Sequence, residues 1–168
     1  RITSFAPTCT FTAGNEPSAF RSSSRTVTAM LPISVDQGLG VLVWSPLAAG
    51  LLSGKHRRTH PVAEGSRQAA GWTEPPIRDQ DRLWDIVDVL VSVGEKHGVE
   101  AVQIALAWLL TRPAVSSLVV GGSNEQQFIN NFRALDVKLD QDDLDRLDRV
   151  SQPPLIYPYW HQNQFARD

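Results

Sequence analysis

A short apolar run, Val41 to Trp44, lies between Gly40 and the pair Ser45-Pro46. Four apolar residues bounded by turn-forming residues are typical of a strand buried on both faces, as in parallel α/β sheets. Pro46 has no N–H group to donate to a neighbouring strand, so we expect the strand to end before it. A second apolar run, residues 117–120, predicts a second strand of the same kind.

Between and after these runs, apolar residues recur at helical spacing and predict three helices. A fourth helical segment, residues 29–37, is expected to end before Gly38. Trp108 is the largest side chain on these stripes, and we expect it to be the largest single burial in the core. The first of the three longer helices is indicated by the stripe Leu83, Ile86, Val87, Leu90 and Val93. The second, 101–110, carries Ile104, Trp108 and Leu109 on one stripe and is stopped by Arg112-Pro113. The third begins at the caps Asp140 and Asp143, ahead of the apolar residues Leu144, Leu147 and Val150.

Residues 1–28 have a different character from the remainder of the chain. Serine and threonine occupy 11 of these 28 positions, and neither helical nor strand periodicity persists. We therefore divide the chain into a divergent or disordered segment, 1–28, and a folded domain, 29–168. The first segment is interpreted as a mobile arm or as an artefact of truncation or reading frame.

Composition excludes several classes of protein. The 168 residues are 42% hydrophobic and 20% charged, which is ordinary for a globular domain. A net charge of −2 and a pI near 6.1 give no electrostatic case for binding nucleic acid or an anionic membrane. A single cysteine, Cys9, allows no internal disulfide and favours a reducing, cytoplasmic location. We expect no membrane span and no signal peptide.

Both predicted strands are followed by loops of small residues suited to binding an anion. After the first strand, Gly50 and Gly54 precede Lys55, where backbone amides and a cation could approach a phosphate. Only three residues separate these glycines, and His56 follows the lysine, so this is not a P-loop. After the second strand, Gly121-Gly122-Ser123 leads into a helix opening near Glu125, which is the geometry of a helix N-terminus that binds phosphate.

Two further groups after Lys55 are candidate binding residues. Arg57 and Arg58 could assist phosphate binding, although such a pair is more often a solvated face. His56 and His60 have a metal-ligand spacing for a helix, but Pro61 opposes a helix and no carboxylate or cysteine completes the set. We predict no metal site.

The segment from Trp44 to Lys55, Trp-Ser-Pro-Leu-Ala-Ala-Gly-Leu-Leu-Ser-Gly-Lys, resembles the segment after barrel strand seven of the aldo-keto reductases. The stretch 119–131 resembles the family's strand-eight motif with its following helix, and 157–161 is similar to the C-terminus of a bacterial subgroup. The resemblance implies an α/β fold: the C-terminal portion of a (β/α)8 TIM barrel, with strands seven and eight and their helices, incomplete as a barrel.

The resemblance also implies a site for NADP. The residues that match the family's cofactor-binding positions are Ser45, Leu47, Gly50, Lys55, Gly121, Ser123, Gln127 and Asn131. Ser123 stands where the family often has an arginine that holds the 2′-phosphate, so NAD is also possible. From the residues alone, the alternative is that Gln127 and Asn131 are polar residues on an exposed helix face.

No catalytic residue follows from the resemblance. The family reduces carbonyls with a tyrosine acid supported by lysine, aspartate and histidine, but both tyrosines here, Tyr157 and Tyr159, lie near the end of the chain. Our interpretation is a truncated aldo-keto reductase that carries the cofactor-binding part of an NAD(P)H-dependent reductase of aldehydes and ketones. Its expected partners are the dinucleotide and the missing N-terminal part of the barrel. The alternatives are a non-catalytic nucleotide-binding or partner-pairing module, and a decayed gene product.

Overall fold

The computed structural model describes residues 30–59, 66, 69–71, 77 and 79–152. The predictions made for residues 1–28 and for the aromatic residues of the tail lie outside the described residues. The elements, in order, are α1 (Leu31–Asp36), β1 (Val41–Trp44), a first 3₁₀ helix (Ala48–Ser53), α2 (Gln80–His97), α3 (Ala101–Leu110), β2 (Val115–Val119), α4 (Glu125–Phe132), a second 3₁₀ helix (Arg133–Asp136) and α5 (Gln141–Ser151).

The two strands pair in parallel, as the sequence predicts, with Val43 opposite Leu118 and Trp44 opposite Val119. The second strand begins and ends earlier than predicted, and the register shifts between Val41 and Leu42. The prediction that the first strand is buried on both faces is wrong. Trp44 is 73% exposed and Leu42 36% exposed, because the described helices cover only one face of the sheet.

Helix α1 is short, and its ends follow from two residues. Pro32 lies in its first turn, where a missing N–H group costs nothing. Gly38 adopts a left-handed conformation, with φ of +64°, and its N–H group donates to the carbonyl of Val35. Glycine adopts this conformation without the steric cost that a side chain would impose, which confirms the predicted helix end.

Helices α2 and α3 form the centre of the structure, as their apolar stripes predict. Every residue from Ala101 to Ala107 is buried, so α3 is enclosed on all sides. Glu100 caps this helix in a reciprocal arrangement with Gln103, while Asp79 caps α2 by accepting from the N–H group of Arg82. The main core cluster contains Leu90 and Val93 of α2, Ala101, Ile104 and Ala105 of α3, and Leu147 of α5.

Trp108, predicted to be the largest single burial in the core, is partly buried rather than fully enclosed. Its indole is only partly buried against the main cluster, and its Nε1–H donates to Asp148 at 2.7 Å. The Arg112 guanidinium lies over the ring, 4.6 Å from its centroid. The largest fully buried apolar side chains are instead Ile104 and Leu106. An indole with a polar end is held where one edge meets solvent, because its N–H group needs a partner.

Helix α5 packs on α2 and begins at the predicted cap. Asp140 accepts from the N–H group of Asp143, and Asp143 accepts in return from the N–H group of Asp140. Leu147 carries the contact into the main core cluster. In the described part of the chain, no helix is both long enough and apolar enough to cross a bilayer.

Candidate functional site

The loops that follow the two strands leave the sheet at the same edge. Because β1 and β2 run parallel and Trp44 pairs with Val119, the chain turns away from both strands at the same level. Ser45 begins the first loop, and Gly121 begins the glycine turn of the second. The carboxyl edge of a parallel sheet is where open α/β proteins and barrels place their ligands. These two loops therefore form the candidate site.

The loop after β1 holds an unusual set of backbone conformations. Ser45, Ala48 and Ala49 have φ angles of 52°, 50° and 54°, and Gly50 follows with φ of 93°. Residues with a Cβ atom rarely adopt positive φ, and each such residue costs of order 1 kcal/mol. Three strained residues lie within one five-residue stretch. Such strain persists only where the surrounding structure stabilises it, and it is concentrated at functional sites, so this loop is a functional candidate.

Hydrogen bonds within the loop hold this conformation. The Ala48 N–H group donates to the Ser45 carbonyl at 2.9 Å, and the Gly50 N–H group donates to the Leu47 carbonyl at 2.9 Å. The Ser53 hydroxyl donates to the Gly50 carbonyl at 2.6 Å. The Leu47 side chain meanwhile packs against both core clusters. Leu47 and Gly50 thus fix the shape of the loop, and the Gly50 amide is occupied inside it.

The end of the first loop presents a positive charge. Gly54 has φ of +74°, and a Cβ atom built on it would lie 2.9 Å from the Cβ atom of Ala101, so the loop is seated against α3. Lys55 is exposed, and its ammonium group makes no ion pair with any of the described residues. Arg58 does not add its charge to this loop. Its guanidinium forms ion pairs with Asp81 at 2.7 Å and with Asp85 at 3.1 Å, both on α2.

His56 lies next to Lys55 but is directed inward. The residue is only 4% exposed, and its Nδ1 atom has no hydrogen-bond partner in the described part of the chain. The second histidine of the predicted i, i+4 pair, His60, lies outside the described residues. A buried imidazole at this position presents no ligand atom at the surface of the site.

The second loop is organised by the first residues of α4. Asn124 caps the helix, its Oδ1 accepting from the Gln127 N–H group at 3.0 Å. The Gln127 Oε1 atom reaches back to accept from the Ser123 N–H group at 2.8 Å. A Cβ atom built on Gly122 would lie 3.0 Å from the Phe128 ring, so this glycine permits close approach. The Ser123 hydroxyl is left at an exposed position beside the helix N-terminus.

The predicted residues therefore divide into two sets. Lys55, Gly121 and Ser123 are exposed at the carboxyl edge of the sheet, with Ser45 half-buried beside them. Leu47 and Gly50 hold the first loop and Gln127 holds the second, whereas Asn131 is buried near the C-terminal end of α4, with 8% of its surface exposed. The interpretation of Asn131 as an exposed surface residue is wrong for this reason. Asn124 and Phe128 were not predicted, although the spacing Asn124-x-x-Gln127 at the start of a helix is the usual sign of a cap.

Among the described residues, the largest pKa shift lies away from these loops, where α5 meets α2. Burial raises the pKa of Asp143, but hydrogen bonds from Lys96 and His97 outweigh it and lower that pKa to about 2. The distances are 2.8 Å from the Lys96 Nζ atom and 2.6 Å from the His97 Nε2 atom. Asp140, Asp142 and Asp143 lie close together, but Asp140 and Asp143 cap the helix and bind Lys96. This cluster is a helix cap and an ion pair.

Comparison with known proteins relates the chain to one family. Residues 13–152 match the model of the aldo/keto reductase family, and the matched stretch includes both strands and both candidate loops. The match therefore agrees with the resemblance carried by residues 44–55 and 119–131.

Three relatives illustrate the range of this similarity. The chain is 33% identical over 125 residues to a probable voltage-gated potassium channel subunit beta of Oryza sativa subsp. japonica, covering 73% of this chain and 38% of that protein. It is 33% identical over 129 residues to a putative subunit of the same name in Schizosaccharomyces pombe, covering 72% of this chain and 36% of that one. An uncharacterized oxidoreductase of Bacillus subtilis, YrpG, is 30% identical over 125 residues, covering 74% of this chain and 36% of the relative. The chain thus spans less than two fifths of the length of these relatives.

Proposed function

Because this chain belongs to the aldo/keto reductase family, we propose that its two carboxyl-edge loops form part of a site for a nicotinamide dinucleotide. In the full family domain, the reaction is hydride transfer between NAD(P)H and an aldehyde or ketone. The architecture we propose is the C-terminal portion of a (β/α)8 barrel, in which β1 and β2 are strands seven and eight.

One observation carries this proposal. Parallel pairing of β1 with β2 brings the strained loop 45–55 to the same sheet edge as the N-terminus of α4. A helix N-terminus carries partial positive charge and favours anions, while Lys55 adds a full charge from the other loop. Ser45 and the Ser123 hydroxyl can supply neutral hydrogen bonds. This combination suits the pyrophosphate and ribose of a dinucleotide.

The second loop offers no charged group that would favour NADP over NAD. Ser123 has no charge to offer a 2′-phosphate, and its N–H group already donates to Gln127. Any preference for NADP over NAD in this chain would therefore rest on Lys55 or on groups outside the described residues. We propose that NADP and NAD both bind, with NADP as the cofactor implied by the family.

A second function is supported by the residue content of the chain. Its two tyrosines, Tyr157 and Tyr159, lie outside residues 13–152, which match the family model, and we infer that neither is the family's catalytic tyrosine. Acting alone, the chain would then bind a nucleotide without reducing a carbonyl. Two of the relatives above are named as channel subunits rather than as oxidoreductases, which is compatible with a binding role.

The test is titration of the purified chain with NADPH and with NADH, followed by quenching of tryptophan fluorescence. Trp44 ends β1 directly before the first loop and is 73% exposed, so it should report occupancy. We expect saturable binding of the nucleotide. Lys55→Met should weaken that binding about tenfold, or about 1.4 kcal/mol, because the positive charge that faces the phosphates is removed. Lys138→Met is the matched control, since Lys138 is also exposed but lies between the second 3₁₀ helix and α5.

Three outcomes distinguish the functions. Binding with reduction of a model aldehyde supports the reductase, and binding without reduction supports the nucleotide-binding module. Equal affinity in the Lys55→Met and Lys138→Met variants would contradict the proposed site, even if a nucleotide binds elsewhere on the chain.

A further inference from the structure

Lys55 is held between two anchored neighbours. On one side, Gly54 packs so closely that a Cβ atom built on it would lie 2.9 Å from the Cβ atom of Ala101 on α3 and 3.3 Å from Val91 on α2. On the other side, His56 is only 4% exposed. Lys55 itself is exposed. Because the residues before and after it are both packed inside the structure, they decide where the lysine charge can reach.

The His56 imidazole is buried, and its Nδ1 atom has no hydrogen-bond partner among the described residues. A neutral ring loses the hydrogen bond of one nitrogen in this position. A protonated ring has two N–H donors and a full charge, and burying an unpaired charge is far more costly. The buried position of His56 therefore favours the neutral ring.

The charged groups around His56 supply no counter-charge. The charged side chains of its own segment are all cations, namely Lys55, Arg57 and Arg58. On α2, Asp81 and Asp85 pair with Arg58, and Asp88 is exposed. On α3, the Glu100 carboxylate caps its own helix. The ion pairs of the described residues include His97 but not His56, so a proton on His56 would add an uncompensated buried charge.

We propose that His56 is a positioning residue for Lys55 and that it holds the lysine in place only while its own ring is neutral. In mild acid the ring gains a proton, the segment 54–58 leaves its seat on α2 and α3, and Lys55 no longer faces the phosphates of a dinucleotide. Histidine is the side chain whose charge ordinarily changes between about pH 5 and 8. The effect on the ligand rests on the proposed dinucleotide site, whereas the movement of the segment does not.

The second histidine of the described part of the chain responds to acid in the opposite direction. The Nε2 atom of His97 lies 2.6 Å from the Asp143 carboxylate. Since the pKa of Asp143 is lowered to about 2, this carboxylate stays ionised in mild acid. A proton on His97 therefore strengthens an ion pair rather than creating an unpaired charge. Release of the segment 54–58 in mild acid would thus be specific to His56.

The experiment compares the full chain at about pH 7.5 and about pH 5.5, on either side of the usual histidine titration. Hydrogen exchange followed by mass spectrometry measures the protection of the amides of 48–58. The amides of α3 are the internal reference, which corrects for the direct effect of pH on exchange. In parallel, NADH is titrated by tryptophan quenching. NADH is chosen because its pyrophosphate keeps its charge over this range, whereas the 2′-phosphate of NADPH titrates within it.

We expect the amides of 48–58 to lose protection relative to α3 at the lower pH. The affinity for NADH should fall about tenfold, the same factor as for Lys55→Met, since the contribution of the lysine charge is lost in both cases. His56→Phe keeps a ring of similar size that cannot gain a proton, so its protection and affinity should not change between the two pH values. His97→Gln is the control, and it should retain the full pH response of the unchanged chain.

The unchanged chain decides the inference even if a variant fails to fold. Equal relative protection of 48–58 at both pH values would overturn it, as would tighter binding of NADH in acid. A pH response that persists in His56→Phe would assign the effect to another group and would also overturn it. If the segment responds to pH through His56 but NADH binds at neither pH, His56 still positions the segment and the dinucleotide site fails.

Discussion

At the scale of single residues, Asp143 is held by three other residues at once. Its carboxylate is fully buried, caps the N-terminus of α5, and accepts hydrogen bonds from Lys96 and His97 near the C-terminus of α2. One side chain therefore fastens two helix ends whose macrodipoles favour these charges. A buried carboxylate held in this way stabilises the fold only while its partners remain in place.

The lowered pKa of Asp143 predicts the direction of a pH dependence. Its folded-state pKa of about 2 lies below the ordinary value of 3.8. The resulting stability of about 2 kcal/mol is therefore present above pH 3.8 and is lost as the pH falls toward 2. Asp143→Asn should lower the free energy of unfolding by about this amount at pH 7. The variant should then lose less of its remaining stability than the unchanged protein does between pH 7 and pH 3. Urea unfolding at pH 7 and at pH 3 measures both effects.

The matched control for this prediction is Asp142→Asn. Asp142 is the neighbouring residue in the first turn of α5, but it is exposed. Its change should cost less than about 1 kcal/mol, because only an exposed interaction with the helix dipole is lost. Equal effects of the two substitutions would show that the buried ion pair contributes nothing specific.

At the scale of elements, the sequence predicts helices better than it predicts burial. Helix α3 has the predicted bounds, and the caps at Asp140 and Gly38 act as expected, since these signals are local. The exposure of Trp44 and the partial burial of Trp108 could not be predicted. Both depend on which elements cover the sheet and the core, and an apolar run of four residues carries no such information. The hydrogen bond from the Ser123 N–H group to Gln127 could not be predicted either, because it depends on the geometry of the turn.

The first loop offers a sharp test at this scale, because two glycines share a backbone conformation but differ in their surroundings. Gly54 and Gly38 have φ of +74° and +64°. A Cβ atom on Gly54 would meet Ala101 at 2.9 Å, whereas one on Gly38 would meet nothing within 4 Å. Gly38→Ala should cost about 1 kcal/mol from backbone strain alone. Gly54→Ala should cost about 3 kcal/mol, because overpacking adds to the strain.

Urea unfolding of the two variants measures this difference, and the nucleotide titration should separate them further. Gly54→Ala displaces the loop that carries Lys55 and should weaken binding, while Gly38→Ala should leave it unchanged. Similar losses of stability in both variants would mean that the loop is not seated against α3 as described.

At the scale of the whole molecule, the described body has a real core but leaves apolar surface uncovered. Ile104, Leu106, Val87 and Val93 are fully buried, whereas Trp44, Phe132 and Leu135 are largely exposed. Exposed apolar surface and free strand edges favour association between molecules. The energetic consequence is a fold whose stability depends on what covers those surfaces.

We therefore predict that the isolated chain is marginal. It should melt with low cooperativity, bind a hydrophobic dye such as ANS and associate as its concentration rises. Differential scanning calorimetry and sedimentation at several concentrations measure these properties. A single cooperative transition of a monomer, with a Tm independent of concentration, would contradict the prediction.

The parallel pairing of β1 with β2 also sets an order of events during synthesis. About 70 residues separate Trp44 from Val115, so β1 leaves the ribosome well before its neighbour exists. At roughly 5–20 residues per second, the wait lasts roughly 4–14 s. Through that interval the apolar strand has no partner within the described chain, and its contact with β2 requires closure of a long loop. The nascent chain is thus most open to chaperone binding before the second strand emerges.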